Sequence, residues 1–194
     1  MNIAVDIDEV MANFLEQFIQ FQEKEYGKRV QFENITSYSL KDFFGVSEKE
    51  EIRQIYEFYT TEFFRNIKPI PNSKESLEKL KGQGHRLFVI TARQSHIENE
   101  TIEWVNTHYP GIFEDIIITN EGAKTTSYER KADVCTTLGA HIIIEDSFKN
   151  AYESAQKGMK AILFNKPWNR REKDREGIFR VDSWEQALTI INSL

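Results

Sequence analysis

Asp6 and Asp8, separated by Ile7, directly follow the apolar run Ile3-Ala4-Val5. Carboxylates so placed can attack as nucleophiles, move protons as acid or base, or coordinate a hard cation. Two more acids, Glu145 and Asp146, end the run Ile142-Ile143-Ile144, while Leu87 to Ile90 ends in Thr91, Ala92 and Arg93, which offer a hydroxyl and a cation to an anion. Taken singly, Asp8, Thr91 or Ser147 would serve equally well as a helix cap. Asp6 resists that reading because it lies at the strand's end and precedes an apolar residue, and an unpaired buried carboxylate is costly. A cation facing Asp6, Asp8 and Asp146 relieves the cost, and oxygen donors of this kind suit a hard cation, with Mg²⁺ the first expectation. The four histidines, His85, His96, His108 and His141, are scattered without the spacing of a zinc site.

The elements that must position these residues are legible from apolar patterning. Near-continuous apolar runs at 2–7, 85–91, 115–119, 141–146 and 160–165 predict strands buried on both faces, with a shorter strand at 178–181. The intervening pattern predicts helices over 10–27, over 47–64 from a capping box between Ser47 and Glu50, and within 71–84, ending near Gly82. Ser95 to Glu98 reads as a second capping box whose helix runs to about Thr107, and helices over 131–140 and 147–158 stop at Gly139 and Gly158.

Alternating strands and helices imply an α/β fold with a doubly wound parallel sheet. Ligands of such sheets bind at the carboxyl ends of the strands, where these acids and Thr91 fall. Residues 10–70 break the alternation, being far longer than a crossover requires. They predict a small helical cap inserted after the first strand, over a core of residues 1–9 and 71–194. The segment 165–177, NKPWNRREKDREG, is dense in charge of both signs and reads as a solvated loop. Within it Trp168 suits either the entrance of a site or a surface anchor.

The chain has 194 residues, 40% hydrophobic and 29% charged, which suffices for a folded core. Its net charge of -6 disfavours a nucleic acid polymer as partner but allows a small anion in a locally positive pocket. Cys135 is the single cysteine, so no intrachain disulfide forms and a cytoplasmic location is expected. Acids at 6, 8, 9 and 16 interrupt the N-terminal apolar stretch, and no segment has the length of a membrane span. A homodimer is compatible with the sequence.

Taken in order, DIDEV at 6–10, TAR at 91–93, Lys131 before an acidic strand end, and IIIED at 142–146 resemble the haloacid dehalogenase-like phosphatases over nearly the whole chain. Within that superfamily the chain is most similar to the 5′(3′)-deoxyribonucleotidases, or C-type 5′-nucleotidases. The resemblance implies a Rossmannoid core and an Mg²⁺-dependent phosphomonoesterase acting on nucleoside monophosphates through an aspartyl-phosphate. It makes Asp6 the nucleophile and Asp8 the acid and then the base. Asp6, the Asp8 carbonyl and Asp146 hold the metal, with Glu145 acting through a metal-bound water. Thr91, the Ala92 amide and Lys131 hold the phosphate, with Lys124 the alternative lysine. Phe14 stands where such enzymes present an aromatic to the base, with Phe43, Phe44, Tyr59, Phe63 and Phe64 as further candidates, and Arg93 is the other substrate-binding residue. Glu9 departs from the glycine common in the family. A left-handed backbone there would strain it, and its charge would crowd the phosphate. Two alternatives stay open: a catalytically silent binder of a phosphorylated ligand, and a phosphatase for a non-nucleotide ester.

Overall fold

A computed structural model of the chain describes residues 1–37, 40–120 and 129–194. Among these, the apolar runs form six strands: β1 (Asn2–Val5), β2 (Arg86–Thr91), β3 (Asp115–Ile118), β4 (Ile142–Glu145), β5 (Lys160–Phe164) and β6 (Ile178–Val181). They pair in the order β3-β2-β1-β4-β5-β6, and each neighbouring pair is parallel. The α/β class and parallel sheet expected from the sequence are therefore present. Ile3, Ala4 and Val5 of the central β1 are fully buried, which is why that strand reads as an unbroken apolar run. Edge strand β3 is only half-buried despite its isoleucines. Val5 lies level with Val89 on one side and Ile144 on the other, so the chain following β1 emerges beside Glu145. The order reverses between β1 and β4, where sheets of this kind open a crevice.

Between β1 and β2 lie α1 (Phe14–Tyr26), α2 (Leu40–Phe44), α3 (Glu48–Tyr59) and α4 (Glu62–Arg65). The chain enters and leaves this insertion through a paired neck: Asn13 N donates to the Lys68 carbonyl at 2.9 Å and Ile70 N to that of Met11 at 2.7 Å. Phe18, Phe21 and Phe58 are buried together, their ring centroids 5.1 to 5.8 Å apart. Two helices differ from expectation. The first starts at Phe14, because the amides of Val10, Met11 and Ala12 all turn back to the Ile7 carbonyl. The second starts as expected, with the Ser47 hydroxyl accepting from Glu50 N, but stops at Tyr59. There the hydroxyls of Thr60 and Thr61 bond the carbonyls of Glu57 and Phe58, competing with continued helix.

The core helices are α5 (Ser73–Gly82), α6 (Glu98–His108), α7 (Lys131–Thr137), α8 (Phe148–Gln156) and α9 (Trp184–Ile191). One buried cluster joins Ile3, Val5, Leu77, Trp104 and Trp184; Ala4, Val134, Cys135, Ile143 and Ala151 form another on the opposite side, as alternation along a strand requires. Gly139 and Gly158, with φ of 58° and 86°, follow α7 and α8 as expected. Ser95 is not a cap. Residues Ser95–Ile97 form one 3-10 turn, and the Ser95 amide is claimed by Asn120 Oδ1 at 3.0 Å, a distant partner that patterning does not reveal. Among the described residues, no helix is long and apolar enough to cross a membrane.

Trp184, buried in α9, donates its indole N–H to the Val10 carbonyl at 2.9 Å and ties down the turn after β1. Trp184→Phe keeps most of the ring and removes that donor. It is expected to lower the unfolding free energy by about 1–3 kcal/mol in urea denaturation. An unchanged midpoint would mean that ring packing alone holds the turn.

Candidate active site

The chain after β1 supplies three acids, and each meets a cation from a different element. Asp6 is buried, with Oδ1 accepting the Ile7 amide at 2.8 Å and lying 2.7 Å from Lys131 Nζ. Lys131 opens α7, is itself buried, and reaches Glu145 Oε1 at 2.7 Å. Burial works against the ammonium charge, but Asp6 and Glu145 together hold its pKa above the usual lysine range. The alternative Lys124 falls outside the described residues.

Asp8 is held through both oxygens by Arg93, whose Nε lies 3.1 Å from Oδ2 and Nη2 2.7 Å from Oδ1. Arg93 is buried and covered by the Phe64 ring, 5.4 Å from guanidinium to centroid. Asp6 and Asp8 both follow β1 rather than lie within it. The strand ends at Val5, and it is the turn after it that presents both. Thr91 ends β2 buried, its Oγ1 accepting the Arg93 amide at 3.3 Å. The half-buried Ala92 follows, well before α6, so its amide does not sit at that helix's N-terminus.

Glu9 has φ of 60°, the left-handed conformation that glycine adopts freely and other residues at about 1–2 kcal/mol. Its side chain does not stand loose among the acids. Oε1 accepts the Leu15 amide at 2.8 Å, so Glu9 caps α1, and Oε2 lies 3.2 Å from Lys166 Nζ. Burial raises the pKa of Glu9, with Lys166 and the Leu15 amide opposing.

Lys166 belongs to the segment expected to be a solvated loop. Residues 170–176 are exposed, but Pro167 and Asn169 are buried and Trp168 is half-buried. Arg180 of β6 braces the segment, donating to Asn165 Oδ1 at 3.1 Å, Asn169 Oδ1 at 3.1 Å, Asn169 O at 3.0 Å and Glu172 O at 2.9 Å. Trp168 Nε1 donates to Asp146 Oδ2 at 3.0 Å, and Asn169 Nδ2 to the Asp146 carbonyl at 2.8 Å. Lys166, Asn169 and Arg180 were not foreseen. The available signal was that β5 also ends on the ligand edge of the sheet, but the flanking charges hid it.

Asp6, Glu145 and Asp146, all buried, can bring one carboxylate oxygen each within 4.8 Å of one another, the set among the described residues suited to a metal. Glu145 is already engaged: its oxygens accept from Lys131, the Ser147 amide at 3.2 Å and Asn150 Nδ2 at 3.3 Å, so it anchors the lysine. Among the described residues, five carboxylates (Asp6, Asp8, Glu9, Glu145 and Asp146) face the cations Lys131, Arg93 and Lys166, a formal excess of two negative charges when every acid is ionised. Burial, reinforced by Glu145, raises the Asp6 pKa from 3.8 to about 7 despite Lys131. Burial, with Glu145 and Asp6, pushes Asp146 well above the carboxylate range. A divalent cation fits the all-oxygen donor set and its charge.

Phe14 begins α1 just beyond the acidic turn, half-buried, its ring 5.9 Å from Phe18 and 5.2 Å from Phe58. Phe44 and Phe64 are buried within the insertion, and the Tyr59 hydroxyl donates to Gln94 Oε1 at 2.6 Å.

Two stability measurements probe this charge arrangement. Lys166→Met strands the buried Glu9 carboxylate and is expected to destabilise by about 3–5 kcal/mol, more than Glu9→Gly, which relieves the left-handed strain; equal effects in chemical denaturation would contradict a pair that matters. The raised folded-state pKa values of Asp6 and Asp146 mean that ionisation opposes folding as pH rises above 3.8. In EDTA at pH 8, Asp146→Asn is therefore expected to melt a few degrees above wild type, whereas a lower melting temperature would mean that the carboxylate's hydrogen bonds outweigh its desolvation.

A family model described as "5' nucleotidase, deoxy (Pyrimidine), cytosolic type C protein" matches residues 1–194. The Bacillus subtilis protein named "Putative nucleotidase YqfW" is 24% identical over 197 residues, covering 100% of this chain and 94% of its own length. A Chlorobaculum tepidum protein named "Putative 5'(3')-deoxyribonucleotidase" is 24% identical over 201 residues, covering 98% of this chain and 90% of that protein. In fold, the chain is similar to a haloacid dehalogenase-like hydrolase from Streptococcus pneumoniae, with a TM-score of 0.70 at 14% identity, covering 98% of this chain and 97% of that one. The match over the full chain, on a sheet that gathers these acids around one lysine, places it in the family of cytosolic type C 5′ nucleotidases, haloacid dehalogenase-like hydrolases of phosphoric monoesters.

Proposed function

We propose that the protein is an Mg²⁺-dependent 5′-nucleotidase that hydrolyses (deoxy)nucleoside monophosphates through an aspartyl-phosphate on Asp6. The observation that carries this reading is the buried Asp6, Glu145 and Asp146 cluster around Lys131 at the point where the strand order reverses. Both Asp6 contacts among the described residues fall on Oδ1, so Oδ2 is the attacking oxygen. As the Asp6–phosphorus bond forms, the ester bond to the leaving oxygen breaks and Asp8 gives that oxygen its proton. Asp8 then takes a proton from water, which attacks phosphorus and frees inorganic phosphate and the Asp6 carboxylate. Thr91, the Ala92 amide and Lys131 hold the phosphoryl oxygens. Asp6, the Asp8 carbonyl and Asp146 would hold Mg²⁺, which neutralises charge on the transferring group.

Arg93 is assigned to substrate binding by exchange. An arriving phosphate dianion competes for the guanidinium and frees the Asp8 carboxyl to face the leaving oxygen. Phe14 offers its ring to the base, and residues 10–70 form the cap over a core of 1–9 and 71–194, a division consistent with the paired neck at Asn13–Lys68 and Met11–Ile70. The nucleotide preference follows the family description and the name of the Chlorobaculum relative. A single buried thiol suits a cytoplasmic setting. A silent binding protein was suggested by Glu9, and that motive weakens because the Glu9 carboxylate is already engaged by Leu15 and Lys166.

Phosphate release should be measured from a panel of nucleoside monophosphates and small sugar phosphates, with Mg²⁺ or EDTA, for wild type and Asp6→Asn. Mg²⁺-dependent release from nucleotides that falls by at least 10³-fold in the variant is expected. Release favouring sugar phosphates would overturn the substrate class, and release persisting in Asp6→Asn would overturn the mechanism.

A further inference from the structure

We propose that Trp168 is a positioning residue for the metal ligand Asp146, its indole N–H fixing the rotation of that carboxylate. The inference rests on the Mg²⁺ reading of the acid cluster. Trp168 Nε1 lies 3.0 Å from Asp146 Oδ2, and the next residue, Asn169, holds the Asp146 backbone carbonyl at 2.8 Å. Two consecutive residues of one loop thus grip the side chain and the main chain of a single acid. An indole N–H only donates, so it holds an acceptor oxygen in place without competing as a ligand. With one oxygen so held, the position of the other is set by the geometry of the carboxylate.

The loop is built to keep that N–H still. Asn169 Nδ2 also binds the Phe164 carbonyl at 2.7 Å, anchoring the loop to the end of β5, while Arg180 braces Asn165, Asn169 and Glu172 from β6. On its other side the indole meets Phe32 of the insertion edge-on, with centroids 5.7 Å apart at 71°. Lys166 Nζ lies 5.9 Å from the centroid of the same Phe32 ring. The ring of Trp168 therefore cannot turn without parting from Phe32 or from Asp146. A purely hydrophobic anchor would need no polar partner, whereas this indole directs its N–H at an acid of the cluster. Hydrogen bonds that orient metal ligands typically contribute 10–100-fold to metal affinity.

The test is Mn²⁺ binding to the full-length protein, followed by electron paramagnetic resonance, with Mg²⁺ affinity read by competition. Wild type and Trp168→Phe are compared alongside their melting temperatures. The expected result is a dissociation constant about 10–100-fold weaker in Trp168→Phe, with a melting temperature close to wild type. Affinity within twofold of wild type overturns the proposal and leaves the metal reading intact. No Mn²⁺ binding by wild type overturns the metal reading, and the proposal with it. Where the phenylalanine variant melts low, β-(3-benzothienyl)alanine at position 168 keeps the ring shape and removes only the N–H. The same loss of affinity then supports the proposal, and wild-type affinity overturns it.

Discussion

The interaction on which the rest depends is the Lys131 ammonium, buried between Asp6 and Glu145. A lysine without contact with water is stable only when opposing charge lies at hydrogen-bond distance. That condition constrains the fold: β1 and β4 must be neighbours in a register that sets Asp6 beside Glu145, and α7 must begin where its first residue reaches both. The reversal of strand order at β1 and β4 satisfies it by bringing two strand ends together without a helix between them.

Around that centre the same device recurs. Asp8 takes Arg93 from the end of β2, and Glu9 takes Lys166 from beyond β5, so three acids of one short segment are matched by cations from three separate elements. The insertion lies over two of them, with Phe64 against Arg93 and Phe32 near Lys166. Aromatic faces attract such cations, typically by about 0.5–2 kcal/mol. The helical insertion is thus coupled electrostatically to the acidic turn as well as sharing one buried apolar cluster with β1.

Glu9 shows how a locally unfavourable residue is retained. Its left-handed backbone opposes folding, yet that conformation aims the carboxylate at the start of α1, where Asn13 makes no side-chain cap bond and Glu9 accepts the Leu15 amide instead. Lys166 completes the arrangement. A glycine would adopt the backbone freely but supply neither the cap nor the partner.

The fold class, the strands and the helical stretch between β1 and β2 were legible because each carries a local signal, apolar runs and glycine stops; Asp6, Asp8, Thr91 and Asp146 stood out as candidates because buried strands end there, and Lys131 through the family resemblance alone. Helix boundaries at Val10 and Ser95 were not, since backbone groups there found partners through a turn and through Asn120. The pairing of Arg93 with Asp8 and the roles of Lys166, Trp168 and Arg180 were decided by tertiary structure alone. Their partners lie far along the chain: Asp8 and Arg93 are 85 residues apart, and Glu9 and Lys166 157. Charge density in NKPWNRREKDREG looks the same whether the loop faces water or is braced across a site. Sequence by itself determined which residues could do chemistry, because propensity and burial act locally; which of them meet was decided by register and loop packing, because pairing depends on distance in space.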